Sequence, residues 1–209
     1  MKEILEHPDS VNFEGGLVNV SIMFADIRNF TTMSERLKPS EVVMGLNKYL
    51  SEMSNAIISV DGYVNRYVGD GIVAFFGAPN KLPMNGSLAA VKGGLEMLKR
   101  LEELNKSEIF PGMEKIKIGI GIHTGEAIVG NIGSFEKMDY SIIGDAANLA
   151  SRVEGLTKTY NVSLLISGST YEPIKHHIDA EYVACVKVKG REQDVEIYKV
   201  NALKEIGGG

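Results

Sequence analysis

One cysteine, Cys185, stands in 209 residues, so no internal disulfide can form, and the residue reads as a small buried hydrophobe. The four histidines, His7, His123, His176 and His177, have no cysteine at zinc-ligand spacing. His123 reads as a satisfied structural histidine rather than a catalytic one. No apolar run reaches the roughly 18 residues needed to cross a membrane, and no signal peptide is visible. The chain therefore reads as cytoplasmic, alone or as the cytoplasmic domain of a larger, membrane-attached protein. Positive charge is also short: 22 Lys and Arg stand against 27 Asp and Glu, a net charge of −5. That balance argues against the basic surface by which a protein grips nucleic acid. Several signatures are missing as well: there is no GxxxxGK[ST] phosphate loop, no GxSxG nucleophile elbow and no HExxH helix. Gly119, Gly121 and Gly125 fall inside a strand pattern, at the wrong spacing for the GxGxxG dinucleotide fingerprint.

What is present is an ordinary globular composition, 44% apolar and 23% charged, at a length that suits one domain. Alternating and then wholly apolar residues predict a central strand over Val18–Asp26. Helices are expected at Thr31–Glu35 and Ser40–Ile58, the second with Pro39 just ahead of it and Val42, Leu46, Leu50, Met53 and Ile57 at helical spacing. Strands Tyr63–Val68 and Ile72–Phe76 around Gly69-Asp70-Gly71 make an antiparallel hairpin. A helix at Ser87–Leu104 follows, then strands Ile116–Ile122 and Ala127–Val129 joined around His123-Thr124-Gly125-Glu126. The remainder reads as a helix at Gly144–Leu156, a strand at Val162–Ile166, a helix at Ser169–His176 and strands at Tyr182–Val188 and Val195–Val200. This order predicts an α+β fold, a ferredoxin-like βαββαβ core with a C-terminal β-α-β-β extension. Such a fold covers one sheet face with helices and leaves the other open to a partner.

Two apolar runs end in aspartate: Ile22-Met23-Phe24-Ala25-Asp26 and Tyr67-Val68-Gly69-Asp70. A carboxylate at the tip of a buried strand is costly unless a positive charge meets it. In the expected fold the two tips share one sheet edge, where they suit hard divalent cations that complete their shell with water and phosphate oxygens. After Asp26, Ile27-Arg28-Asn29-Phe30-Thr31 offers backbone N–H groups near a helix start, a setting that can hold phosphate. On the helix at Gly144–Leu156, Asn148 and Arg152 are four apart and share a face away from the apolar stripe. They read either as a solvated polar pair or as an amide and a guanidinium for a sugar and a phosphoryl transition state.

Together these segments resemble the class III nucleotidyl cyclase catalytic domain. Phe24-Ala-Asp-Ile-Arg-Asn-Phe-Thr31, Tyr67-Val-Gly-Asp70, Gly121-Ile-His-Thr-Gly125 and Tyr140-Ser-Ile-Ile-Gly-Asp-Ala-Ala-Asn-Leu-Ala-Ser-Arg152 are similar to its motifs, in its order. The likeness runs from about Gly16 to Val200 and is greatest to bacterial adenylyl cyclases of the Thr/Ser subclass, class IIIb. It implies the family's polymerase-palm-like version of the ferredoxin-like core. It sets the catalytic domain at 17–202; the short polar opening at 1–16 reads as a linker remnant from a sensor domain ahead of it in the full-length protein, and 203–209, ending in three glycines, as a flexible tail. It implies that Asp26 and Asp70 bind two Mg²⁺ or Mn²⁺ ions per site, with the Ile27 carbonyl assisting. It assigns the ribose to Asn148, the transition state at the α-phosphate to Arg152, the triphosphate to Lys189, and substrate contacts to Phe30 and Thr31. Each site would draw its aspartates from one subunit and Asn148, Arg152 and Lys189 from the other, so a homodimer with two shared sites is expected. The implied reaction is attack of a nucleoside triphosphate's 3′-hydroxyl on its own α-phosphorus, with pyrophosphate leaving.

By the same resemblance, Arg66 and Ser141 occupy the base-reading positions. Ser141 fits the adenylyl subclass, whereas Arg66 replaces an expected lysine of different shape and reach. Arginine only donates, so it suits adenine N1 and cannot accept from guanine N1–H, although it can donate to guanine O6. ATP conversion to 3′,5′-cyclic AMP is therefore the expectation. A guanylyl cyclase and a catalytically silent nucleotide-binding or dimerisation module are the alternatives.

Overall fold

Strand β1 (Gly16–Ile27) is the spine of the molecule, and its buried residues divide between the two sheet faces, Met23, Ala25 and Ile27 on one and Val20 and Ile22 on the other. A computed structural model describes residues 15–78, 86–112, 115–134, 138–187 and 194–204. Helix α1 (Phe30–Ser34) and helix α2 (Pro39–Ile58) follow β1, then the hairpin of β2 (Tyr63–Val68) and β3 (Gly71–Phe76). Helix α3 (Gly86–Leu104), β4 (Ile118–Gly133), β5 (Met138–Ile143) and helix α4 (Asp145–Thr159) come next. The chain closes through β6 (Leu164–Ser167), helix α5 (Gly168–Tyr171) with a 3₁₀ turn at Glu172–Ile174, β7 (Ile178–Val186) and β8 (Val195–Leu203).

The strands form one sheet in the order β2-β3-β1-β4-β6-β8-β7, with β5 attached to β4. β4 and β6 pair in parallel, and the other pairs are antiparallel. The β2-β3-β1-β4 portion, with α2 and α3, is the expected ferredoxin-like core. Odd-numbered β1 residues Met23, Ala25 and Ile27 join Tyr49, Met53 and Ile57 of α2 and Met97 and Leu101 of α3 in the main core. Pro39 takes the first helical position of α2, where its missing N–H is harmless, and Glu41 Oε2 accepts the Lys38 N–H at 2.9 Å. Among the described residues no helix is long and apolar enough to cross a membrane.

Three expectations are corrected. First, β4 is one continuous strand that runs straight through His123-Thr124-Gly125-Glu126, because β1 pairs with it from Ile27↔Ile118 to Gly16↔Val129. Its overhang recruits β5, an unexpected strand, in register from Ile128↔Ile143 to Gly133↔Met138. Second, the far sheet face is not left open. Helix α4 lies on it, packing Ala146 and Ala150 against Val20, Ile22 and Phe75. The glycines of β4 explain how: a Cβ at Gly121 would overlap the Glu154 backbone, and one at Gly119 would strike Thr157 and Glu154. Third, Cys185 is exposed. It lies on β7, at the end of the sheet order, where a strand has one neighbour and its sides open to solvent.

Candidate active site

Asp26 is the second-last residue of β1, and Asp70 sits in the turn between β2 and β3. Gly69 takes φ +63 there, a left-handed conformation that glycine adopts without strain. β1 pairs with β3 up to Ala25↔Ile72, so the end of one strand and the hairpin tip are neighbours. The two carboxylates converge on one backbone amide: the Ile27 N–H donates to Asp26 Oδ1 and to Asp70 Oδ2, each at 3.1 Å. Asp26 keeps a side open to solvent, yet its carboxyl rises to about 7. Partial burial is the main cause, followed by the hydrogen bond and charge of Asp70 and the charge of Glu154, against a lowering by the Ile27 amide.

Two like charges on one N–H with oxygen lone pairs to spare form a donor set for a hard divalent cation. Among the described residues no group of three or more His, Cys, Asp or Glu side chains could hold a metal. Two carboxylates suit Mg²⁺, which keeps water and takes substrate phosphate in preference to a full protein cage. The amides of Ile27 and Arg28 are already used, the second by Lys117 O at 2.8 Å. Those of Phe30 and Thr31 open α1, where no intrahelical carbonyl reaches them. The Phe30 ring itself packs edge-on to Phe110 at 6.2 Å, so any substrate contact there falls to the backbone.

Helix α4 buries Leu149, Ala150 and Val153 and presents Asn148 and Arg152 on its exposed side, as expected. Glu154, two residues past Arg152 and less exposed, feels the Asp26–Asp70 pair. Asn148 and Arg152 thus face away from the sheet that holds the aspartates of their own chain. Arg66 on β2 is exposed, and Ser141 on β5 is half-buried. The structure brings these two strands together. Asn65 Nδ2 donates to Tyr140 O at 3.0 Å and to Ser141 Oγ at 3.4 Å, and the rings of Tyr63, Phe75 and Tyr140 pack beside them. Lys189 lies outside the described residues.

Residues 15–202 match the family described as "Adenylate and Guanylate cyclase catalytic domain". The chain belongs to this family. The cyclase domain is 36% identical over 194 residues to an adenylate cyclase of Anabaena cylindrica, covering 88% of this chain and 37% of that protein. It is 35% identical over 181 residues to adenylate cyclase 1 of Rhizobium meliloti, covering 87% of this chain and 27% of that protein. The chain thus spans about a third of these relatives' length. Among solved structures, the adenylyl cyclase CyaB from P. aeruginosa matches with a TM-score of 0.84 at 36% identity, covering 94% of this chain and 100% of that one. The guanylyl cyclase Cya2 matches at 0.82 and 34%, covering 93% and 97%.

Four residues of the cyclase domain escaped sequence reasoning. Arg28 Nη2 donates to Thr157 Oγ1 at 2.7 Å and to Val162 O at 2.9 Å, tying the turn after Asp26 to the C-terminal end of α4. Glu154 sits nearby, its carboxyl raised by burial and lowered by Arg28. Tyr49 of α2 is fully buried, its hydroxyl has no hydrogen-bond partner, and burial plus the charges of Asp26, Asp70 and Glu154 hold it protonated. Asn65 is the fourth, and its Oδ1 is also buried without a partner, which costs about 1–3 kcal/mol. Only Arg28 had a sequence signal, since it lies inside the first motif. His123, by contrast, is the satisfied structural residue expected, with Nδ1 2.8 Å from Ser167 Oγ and 3.1 Å from Ser169 Oγ.

Proposed function

We propose that this domain is an adenylyl cyclase converting ATP to 3′,5′-cyclic AMP and pyrophosphate, in a homodimer with two shared sites. The observation that carries the proposal is the convergence of Asp26 and Asp70 on the Ile27 amide, in a chain of this family. Asp26 and Asp70, with the Ile27 carbonyl, would hold Mg²⁺ or Mn²⁺, which when bound would neutralise charge on the phosphates and lower the pKa of the 3′-hydroxyl. Arg152 stabilises the charge that builds on the α-phosphate, and Asn148 fixes the ribose so that its 3′-oxygen lies in line. Lys189 holds the triphosphate, and the backbone N–H groups of Phe30 and Thr31 donate to its oxygens. Arg66 donates to adenine N1, and Ser141 accepts from the adenine amino group.

The outward placement of Asn148 and Arg152 supports the shared-site arrangement, since a partner's aspartates can meet them where their own cannot. The adenylate cyclases among the relatives support ATP. The guanylyl reading keeps support in the similarity to guanylyl cyclases such as Cya2. A silent module is disfavoured because Asp26, Asp70, Asn148, Arg152 and Lys189 are all present.

The deciding experiment measures product from ATP and from GTP side by side, over a dilution series of the protein. Cyclic AMP is expected from ATP with Mg²⁺ or Mn²⁺, with specific activity falling once dilution separates the subunits. Asp26→Ala and Asp70→Ala should each abolish turnover. Full activity in both variants would sink the metal assignment, and equal or faster turnover of GTP would replace ATP as the substrate.

A further inference from the structure

We infer that Asn65 is the positioning residue of base selection: its amide clamps the base-reading Ser141 of β5 to β2 beside Arg66. The inference rests on the cyclase reading above, but its geometry stands on separate observations. β2 pairs with β3 through Tyr63↔Phe75 and Val64↔Ala74, then shifts by one residue to Arg66↔Val73. Asn65 is the extra residue of that bulge. A bulged residue leaves the ladder and has its side chain re-aimed. Here the side chain is aimed at β5, where Nδ2 reaches both Tyr140 O and Ser141 Oγ.

The orientation of the amide is fixed by chemistry. Tyr140 O is a carbonyl and can only accept, so the nitrogen of Asn65 must face it, since the flipped amide would set oxygen against oxygen. The second N–H of the same nitrogen then goes to Ser141 Oγ. That bond uses one lone pair of the hydroxyl and leaves it one proton and one lone pair for a ligand. Asn65 thereby limits the hydrogen bonds that Ser141 can offer a base and sets its distance from Arg66. The aromatic packing of Tyr63, Phe75 and Tyr140 holds the two strands together beside this clamp. It also supplies the attachment of β5 to the sheet without Asn65. The buried, partnerless Oδ1 points the same way: an asparagine kept for packing alone would be better replaced by an apolar residue of its size.

The test compares wild type with Asn65→Leu, Asn65→Asp, Ser141→Ala and the Asn65→Leu/Ser141→Ala double variant. The readouts are the ratio of kcat/KM for ATP and GTP, and calorimetric binding of 3′-deoxy-ATP and 3′-deoxy-GTP with Mg²⁺, which cannot cyclise. Wild type should discriminate between the bases. Asn65→Leu should fold with an unchanged or higher melting temperature, while the ratio moves about tenfold toward unity, mainly through KM for the preferred nucleotide. Asn65→Asp, which sets an oxygen against Tyr140 O, should lose discrimination in the same direction and covers the case in which the leucine variant fails to fold. Because Asn65 acts through Ser141, the double variant should discriminate no worse than Ser141→Ala alone. A ratio unmoved in folded Asn65 variants, additive effects in the double variant, or a wild type with no base preference would each overturn the clamp. A wild type that binds the deoxynucleotides but makes no cyclic product overturns the cyclase reading, and the binding ratio then decides the clamp. A wild type that binds neither nucleotide overturns both.

Discussion

Two carboxylates on one amide are stable together only when one holds a proton or both hold a cation, and Asp26 carries the strain. Its carboxyl stands at about 7 in the folded protein, against an ordinary 3.8. Between these values the folded state binds the extra proton, so metal-free stability should fall as pH rises from about 4 to about 7 and level off above. Asp26→Asn removes the penalty. In EDTA-treated protein the variant should melt above wild type at pH 8, and the gap should narrow by pH 5. A gap that does not depend on pH would refute the shared-proton picture. Divalent cation should reverse the order at pH 8, raising the melting temperature of wild type and not of the variant, and its affinity should weaken below pH 7 as protons compete. At this scale the aspartates were legible because each ends an apolar run at a turn. Asn65 and Tyr49 were not, because one depends on a bulge and the other on burial beneath residues far away in sequence. Cys185 was misread because a composition rule does not see that its strand lies at the sheet edge.

The contact between α4 and β4 is where the elements fix the site. Gly121 allows the helix backbone to lie directly on the strand, and this contact sets the height of Asn148 and Arg152 above the sheet. Gly121→Ala should therefore destabilise the fold by about 1–3 kcal/mol in urea unfolding, and should lower turnover as α4 lifts. Gly155, on the same helix, has open space around its missing Cβ. Gly155→Ala should instead stabilise by about 0.5–1 kcal/mol through helix propensity, without the loss of turnover. Similar effects from both substitutions would mean that helix propensity, not the close approach, governs this contact. Gly125 misled the strand reading. With its neighbours it looks like a break at His123–Glu126, but the strand continues through it because β1 supplies hydrogen bonds along its length. β5 was illegible for a related reason: Met138–Ile143 is short and half-polar, and it becomes a strand only because β4 extends past β1 to meet it.

At the scale of the whole molecule, the proposed function gives each chain two half-sites. Arg28 joins them physically, with hydrogen bonds from the turn after Asp26 to Thr157 at the end of the helix that carries Asn148 and Arg152. Yet the aspartates lie at one sheet edge and the helix pair looks outward, so under the proposed head-to-tail pairing each half completes a different site. Complementation tests it directly. Asp26→Ala protein lacks the metal half and Arg152→Ala lacks the transition-state half, so each homodimer is expected to be nearly inactive. A heterodimer of the two places the intact Asp26 opposite the intact Arg152 in one of its two sites. Random assortment makes half the dimers mixed, so co-expression should restore about a quarter of wild-type specific activity. Purification through two different tags should double that figure by selecting the mixed species. If tandem-purified heterodimer is no more active than the separate variants, the aspartates and Arg152 act within one chain and the shared-site arrangement fails.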